Sequence, residues 1–304
     1  MTSLWTKVSK ILRARNRWSR IWAILNRSSI RLVTRLAVDV WNFRERRARL
    51  QQAPAVTVPP QELENLKTQG FCEIQLDTAQ TSALLKHGAE MMARAEDLKR
   101  RQLTKTKDAV WIRLSDEDRA AQKLTPDHPL VAFALQQRLL AIASAYLNEP
   151  ALLNYVVLTL STPMQGGPQV SQLWHQDCDD VRMLKVFVYL TDVENDDDGP
   201  FTFVDASISK MVPNQFFKRH LPDSKVGLKV LASVKKMIRK KGSVFVVDTS
   251  RCYHMGSRVG EGHHRLMYTA LYTAAPCLHP IETPIFYVDE KAELTQEQRL
   301  ALAV

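Results

Sequence analysis

At 304 residues, with 45% apolar and 24% charged side chains, the chain has the length and composition of a soluble globular protein with one large core, with or without an appendage. Its four cysteines, Cys72, Cys178, Cys252 and Cys277, show no CxxC spacing, which excludes a zinc knuckle and a disulfide framework and favours a reducing compartment. The net charge of +10 resides in the first fifty residues, where thirteen Lys and Arg meet only Asp39 and Glu45, so an anionic partner is expected there and not at the near-neutral remainder.

Residues 1–52 read as a basic amphipathic helical region. Between Leu4 and Leu50 there is no Pro or Gly, and apolar residues recur at three- and four-residue intervals: Leu4, Val8, Ile11, then Ile30, Val33, Ala37, Val40 and Trp41. An interruption is expected near Asn26 to Ser29. Trp5, Trp18, Trp22 and Trp41 lie among arginines, the mix of a helix in a membrane interface. No run reaches the roughly 18 uncharged apolar residues that span a bilayer, and the apolar h-region of a secretory signal is missing. Three roles remain open: peripheral contact with an anionic membrane, a mitochondrial transit peptide, or docking on the catalytic domain or a partner. The corresponding locations are cytoplasmic, with or without peripheral membrane attachment, and mitochondrial.

Residues 53–60, with Pro54, Pro59 and Pro60, read as a linker. Pro60 suits the first turn of a helix running to Gln69, Gly70 its stop, and Phe71 to Leu76 a following strand. Ala79 to Gln102 and Asp127 to Asn148 read as two longer helices. Strands follow: Leu153 to Ser161, Leu184 to Val193, Phe201 to Asp205, Ser243 to Asp248 and Arg265 to Thr273. Helices first and strands later, without βα alternation, predict an α+β fold with a mainly β core: a double-stranded β-helix (jelly-roll) with flanking helices over residues 61–290, and a tail at 291–304.

The chemistry concentrates in His175-Gln-Asp177, with His254 and Arg265 far downstream. Two imidazoles and one carboxylate are the ligand set of the facial triad that holds Fe(II) with other positions open. One residue separates His175 from Asp177, so on an extended backbone both point to one face. On the last strand Arg265, Met267, Thr269 and Leu271 share a face, which puts one guanidinium at the rim of an apolar interior. A charge there needs an anionic partner, and a dicarboxylate supplies one in the bidentate geometry arginine prefers. Gln176 sits beside the site and is expected to help orient it or its co-substrate.

Together, Trp174-His-Gln-Asp177, the hairpin from Leu184 to Val193 and Gly199 to Phe203, Lys241-Gly-Ser-Val-Phe245, and His254-Met-Gly256 with Arg265 eleven residues later resemble the phytanoyl-CoA dioxygenase family. The match runs from about Pro59 to Ala275. The resemblance implies a double-stranded β-helix with Fe(II) on His175, Asp177 and His254, and 2-oxoglutarate as co-substrate with its distal carboxylate on Arg265. It also implies O2 as oxidant and hydroxylation of a small or lipid-like substrate. Retention of Asp177, which related halogenases replace by a small residue, favours hydroxylation. The chain departs from the pattern where Val204-Asp-Ala-Ser207 replaces a Pro-Gly-Ser-His turn, in the long basic stretch from Ile208 to Lys241, and at Gly256-Ser-Arg258. These departures leave the ligands in place and the substrate class open. A non-catalytic barrel that binds a ligand, held at a membrane by its N-terminal helix, is the alternative.

Glu194 to Gly199 reads as an acidic hairpin turn and not a calcium loop, since it begins with Glu and lies between strands. Asp179 and Asp180 read as a solvated turn. The basic run Lys235 to Lys241 reads as a solvated face; without interleaved aromatics it does not suit a nucleic-acid groove. Lys185, Tyr155 and Thr159 alternate with apolar neighbours on strands and are expected near the co-substrate.

Overall fold

In the computed structural model, residues 30–55, 57–76, 78–97, 111–164, 166–213, 220–256, 258–278 and 285–304 are described. The expected interruption at Asn26 to Ser29, and everything before residue 30, lies outside them.

Among the described residues nine strands form two antiparallel sheets: β1 (Phe71–Ile74), β2 (Ile112–Arg113), β3 (Leu152–Ser161), β4 (Met183–Tyr189), β5 (Thr202–Phe203), β6 (Lys235–Lys236), β7 (Val244–Val247), β8 (His254–Met255) and β9 (Arg265–Thr273). The large sheet has the order β1-β7-β4-β9-β3-β2 and the small one β6-β5-β8. Helices packed on a mainly antiparallel β core are what forms, consistent with the expected jelly-roll. Strand alternation divides the large sheet into two faces. Leu266, Tyr268, Ala270 and Tyr272 of β9, with Leu184, Val186 and Val188 of β4, join the main core beneath the helices. Phe187, Tyr189, Phe245, Val247 and Met267 face the small sheet and pack there with Phe201 and Phe203.

The helix Pro60–Gln69 starts on its proline and stops at Gly70, whose φ of 76° lies in the left-handed region. A Cβ at Gly70 would lie 2.6 Å from the Cys252 sulfur, so close packing also requires glycine. The helix expected over Asp127 to Asn148 is two helices, Pro129–Ala134 and Gln137–Leu147, with Gln136 in an extended conformation between them. The reason is tertiary: the buried Tyr268 and Tyr272 hydroxyls of β9 donate to the Leu130 and Ala134 carbonyls at 2.6 and 2.7 Å. At the break, the second tyrosine satisfies a carbonyl that a continuous helix would have paired internally. Residues 291–304, expected as a tail, contain the helix Gln296–Leu302, which opens on a Thr295 capping box and buries Leu300, Ala301 and Leu302.

Helices Arg31–Trp41 and Phe43–Gln51 lie on the domain through their arginines. Arg35 is buried and donates to Asp180 Oδ2 at 3.0 Å and to the Pro276 carbonyl at 2.8 Å. Arg46 reaches Glu149 at 3.0 Å, and Asp39 accepts from Arg182 at 2.8 Å. Asp180 is therefore not the solvated turn residue expected. It is buried, and the amides of Val181, Arg182 and Leu278 donate to it as well.

Removing one partner of a buried ion pair strands the other charge. Arg35→Ala should lower unfolding stability by about 3 kcal/mol, the low end for such pairs because three backbone amides still serve Asp180. Urea unfolding of variant and parent measures it.

Candidate metal centre

The backbone brings the three residues together. His175 donates its amide to the His254 carbonyl at 2.9 Å and accepts the His254 amide at 2.9 Å, an antiparallel bridge between two distant stretches of chain. One residue earlier, Trp174 pairs with Leu221 in the same way, and its indole donates to Asp223 at 2.9 Å. Two residues later the Asp177 amide donates to the Thr249 carbonyl at 2.9 Å. The loop carrying His175 and Asp177 is thus pinned along the edge of the small sheet, whose β8 starts at His254.

Each imidazole has its Nδ1 against a backbone carbonyl: His175 with Leu173 at 2.8 Å, His254 with Cys252 at 3.0 Å. A carbonyl only accepts, so Nδ1 carries the proton and the Nε2 lone pair is free to ligate. Both Nε2 atoms face the Asp177 carboxylate, at 3.7 Å from His175 and 3.6 Å from His254. One atom from each residue falls within a cluster whose members all lie within 4.8 Å of one another. These separations exceed hydrogen-bonding distance and suit atoms grouped around one central ion. Burial and then the neighbouring His254 push the His175 pKa down to about 4, and burial lowers that of His254. Both imidazoles are therefore neutral at pH 7, as ligation requires.

Burial alone would raise the Asp177 pKa, but Lys185 and the two histidines outweigh it and hold the carboxyl far below the usual range. Lys185, on β4, has its ammonium 2.7 Å from Asp177 Oδ2 and 3.4 Å from Asp179. Burial works against its charge, yet Asp177 raises its pKa well above the ordinary value. Lys185 therefore keeps Asp177 ionised and fixes its orientation. Its ammonium also lies 5.7 Å from the Tyr155 ring centroid.

A cavity of about 510 Å³ opens onto these residues. Arg265, Lys185, Tyr155, Thr159, Met267 and Thr269 are among its walls, as strand alternation predicts. Arg265 is buried at its side, donating to the Gly199 carbonyl and standing 5.9 Å from the Tyr189 ring centroid. Its Nε has no hydrogen-bond partner among the described residues, and burial lowers its pKa. A desolvated guanidinium with no carboxylate in contact among the described residues is half of an ion pair, which an anion in the cavity would complete. Gln176 is placed to orient the site and not to touch a co-substrate. Its amide donates to the Arg251 carbonyl at 2.6 Å, and the residue does not line the cavity. Alternation points it away from the ligand face, so it braces the loop from behind.

Phe187 and Phe201 also line the cavity, and Phe201 stacks on the His254 ring with centroids 5.5 Å apart. Phe187 follows Lys185 by two residues, so alternation could have revealed it; Arg113, on the two-residue strand β2, and Arg119, on the short helix Asp116–Ala120, gave no such signal. Members of the basic run pair with acidic residues: Lys235 with Asp205, Lys236 with Asp196 and Arg239 with Glu73, at 2.8, 2.6 and 2.7 Å. In the acidic turn Asp198 accepts the Glu194 and Asn195 amides, which closes it on itself. A second histidine cluster groups His87, Asp118 and His128. Its His128 Nδ1 accepts the Leu130 amide at 3.3 Å, which leaves the proton on Nε2, the nitrogen facing Asp118 at 3.6 Å. That nitrogen carries the proton and offers no ligating lone pair, and at 3.6 Å it stands in ion-pair range of the carboxylate without a hydrogen bond.

The chain matches no protein-family model and no curated protein sequence. Its fold is similar to that of solved structures. The crystal structure of EctD from S. alaskensis with 2-oxoglutarate and 5-hydroxyectoine has a TM-score of 0.54 and 16% identity, covering 76% of this chain and 83% of that one. The structure of the same enzyme with bound Fe has a TM-score of 0.52 and 15% identity, covering 73% and 79%. At such identity the likeness is one of fold.

His254→Ala should weaken Fe(II) or Co(II) binding by more than about 100-fold, beyond the 10–100-fold typical of residues that only orient a ligand. Gln176→Ala should change it by less than that range. Anaerobic metal titration of both variants separates the two roles.

Proposed function

We propose that this protein is a non-haem Fe(II)- and 2-oxoglutarate-dependent dioxygenase that hydroxylates a small or lipid-like substrate, in the manner of the phytanoyl-CoA dioxygenases. One observation carries the reading: two neutral imidazoles and an ionised carboxylate converge on one point, in a cavity that also holds a buried guanidinium with no carboxylate partner among the described residues. The EctD fold, solved with Fe and with 2-oxoglutarate, supports it.

His175, Asp177 and His254 would hold the iron, and Arg265 the distal carboxylate of 2-oxoglutarate. Bound together, the two would supply oxidation by O2, with one oxygen atom going into the succinate formed as 2-oxoglutarate loses CO2 and the other into a substrate C–H bond. The chain's own residues set the stage. Lys185 keeps Asp177 charged, the Leu173 and Cys252 carbonyls hold the imidazole tautomers, and Phe187 and Phe201 give the substrate side of the cavity an apolar wall. A purely binding barrel would need none of the tautomer control, so the non-catalytic alternative is not favoured. Lipid-like substrates and peripheral attachment through residues 1–50 are part of the proposal; among the described residues no helix is long and apolar enough to cross a membrane.

Anaerobic addition of Fe(II) and 2-oxoglutarate should produce the weak visible charge-transfer band of the chelate, and folded protein that shows none would sink the proposal. Arg265→Ala should weaken 2-oxoglutarate binding by about 30-fold, roughly 2 kcal/mol, with Arg265→Lys between the two because a point charge replaces the bidentate fork. Titration of the band against 2-oxoglutarate reads both.

A further inference from the structure

The helix Arg31–Trp41 is mounted the reverse of a surface helix. A helix on a soluble domain turns its apolar stripe inward and its charges to water. Here the inward side is Thr34 and Arg35, both buried, flanked by Arg31 and Asp39. The outward side is Leu32, Val33, Leu36 and Val40, exposed at 67, 66, 64 and 70%, continued by Trp41 at 89% and Phe43 at 59%. On a helical wheel these residues span one half-circle, with Leu32 about 60° from Arg35 at one edge and Trp41 at the other. The inversion is held in place by arginine contacts, since Arg31 donates to the Ser250 carbonyl and Arg35 to Asp180 and the Ala275 and Pro276 carbonyls. A contiguous apolar face of this kind marks an interaction site.

We infer that this face docks on an anionic phospholipid bilayer, with the side chains from Leu32 to Phe43 entering the headgroup boundary. Charge complementarity selects that occupant. Arg44 and Arg47, next along the chain, are exposed and have no ion pair among the described residues, and Arg47 lies one turn beyond Phe43. The adjoining sequence from Met1 to Ser29 holds seven Lys and Arg, three tryptophans and no acidic residue. Apolar insertion, an interfacial indole and a cationic collar are the components of lipid-surface attachment.

The same helix touches the metal loop. Asp180, which holds Arg35, lies three residues after Asp177, and Ser250, which holds Arg31, follows Thr249, whose carbonyl fixes the Asp177 amide. The docking element and the turn that carries the carboxylate ligand are therefore one connected unit. The inference rests on the peripheral-membrane part of the proposed function and not on its chemistry.

The test is sedimentation of the full chain with vesicles of phosphatidylcholine alone and of phosphatidylcholine mixed equally with phosphatidylglycerol, at low and high salt. The parent should pellet with the mixed vesicles and much less with the neutral ones. Leu36→Glu combined with Val40→Glu should weaken binding by about tenfold or more, with an unchanged thermal midpoint because both side chains are solvent-facing. Arg44→Glu with Arg47→Glu should weaken it at low salt by about tenfold. Parent-like binding of the Leu36→Glu, Val40→Glu variant overturns the inference, as does failure of the parent to bind. A drop in its thermal midpoint or a parent dimer that the variant abolishes overturns it too, assigning the face to the chain's own first residues or to a second copy. The Fe(II) and 2-oxoglutarate band, read on the same samples, keeps the outcomes apart: a band without vesicle binding removes only the docking face, and vesicle binding without a band removes only the oxygenase.

Discussion

The reciprocal amide-to-carbonyl pair between His175 and His254 is the contact on which the centre depends. Two hydrogen bonds of 2.9 Å place the α-carbons of two prospective ligands opposite each other, so their separation is set by the backbone and not by side-chain choice. Everything nearby reinforces that pair. Trp174 locks the preceding residue to Leu221, Thr249 holds the Asp177 amide, and β5 flanks β8 on its other side. Side chains on such a frame converge with little freedom left to lose when an ion arrives.

Around the frame, burial would by itself neutralise the ionisable groups, and each group resists or yields in the direction the proposed chemistry needs. The imidazoles yield and stay neutral, with lone pairs available. Asp177 resists because Lys185 stands 2.7 Å away, and Lys185 resists for the same reason. Arg265 stays cationic, since a guanidinium does not deprotonate in proteins, and among the described residues its charge meets the Gly199 carbonyl and Tyr189 but no carboxylate. The cavity therefore combines a charge-balanced carboxylate and lysine with an unbalanced arginine. A dicarboxylate ligand corrects that imbalance.

The N-terminal helices extend the same electrostatic logic outward. Asp39, Glu149 and Asp180 meet Arg35, Arg46 and Arg182 in one network at the junction of helix and barrel, so the basic excess of this region is partly spent inside the protein. Docking on the domain, one of the three roles open to the segment, accounts for its polar face. It leaves the apolar face without a partner among the described residues, which is why docking and lipid attachment are compatible and not alternatives.

Much of this was legible in the chain. Strand β9 begins and ends where its run of Tyr, Thr and Leu predicts, and of the four residues that alternation puts on one face, Arg265, Met267 and Thr269 line the cavity and Leu271 does not, while Leu266, Tyr268 and Tyr272 lie in the core. Helix Pro60–Gln69 is readable from its proline and glycine, since both signals are local. His175, Asp177 and His254 were nameable because spacing and order survive in one dimension. What lay beyond the sequence was every feature that depends on a partner distant in the chain. The break at Leu135 to Gln136 comes from two tyrosines on β9, the burial of Asp180 from Arg35, the turning away of Gln176 from the Arg251 carbonyl, and the inverted helix from a layer of arginine contacts. Local propensity and period determine which residues can share a face. Only the fold decides which face is wet, because desolvation depends on what packs against it.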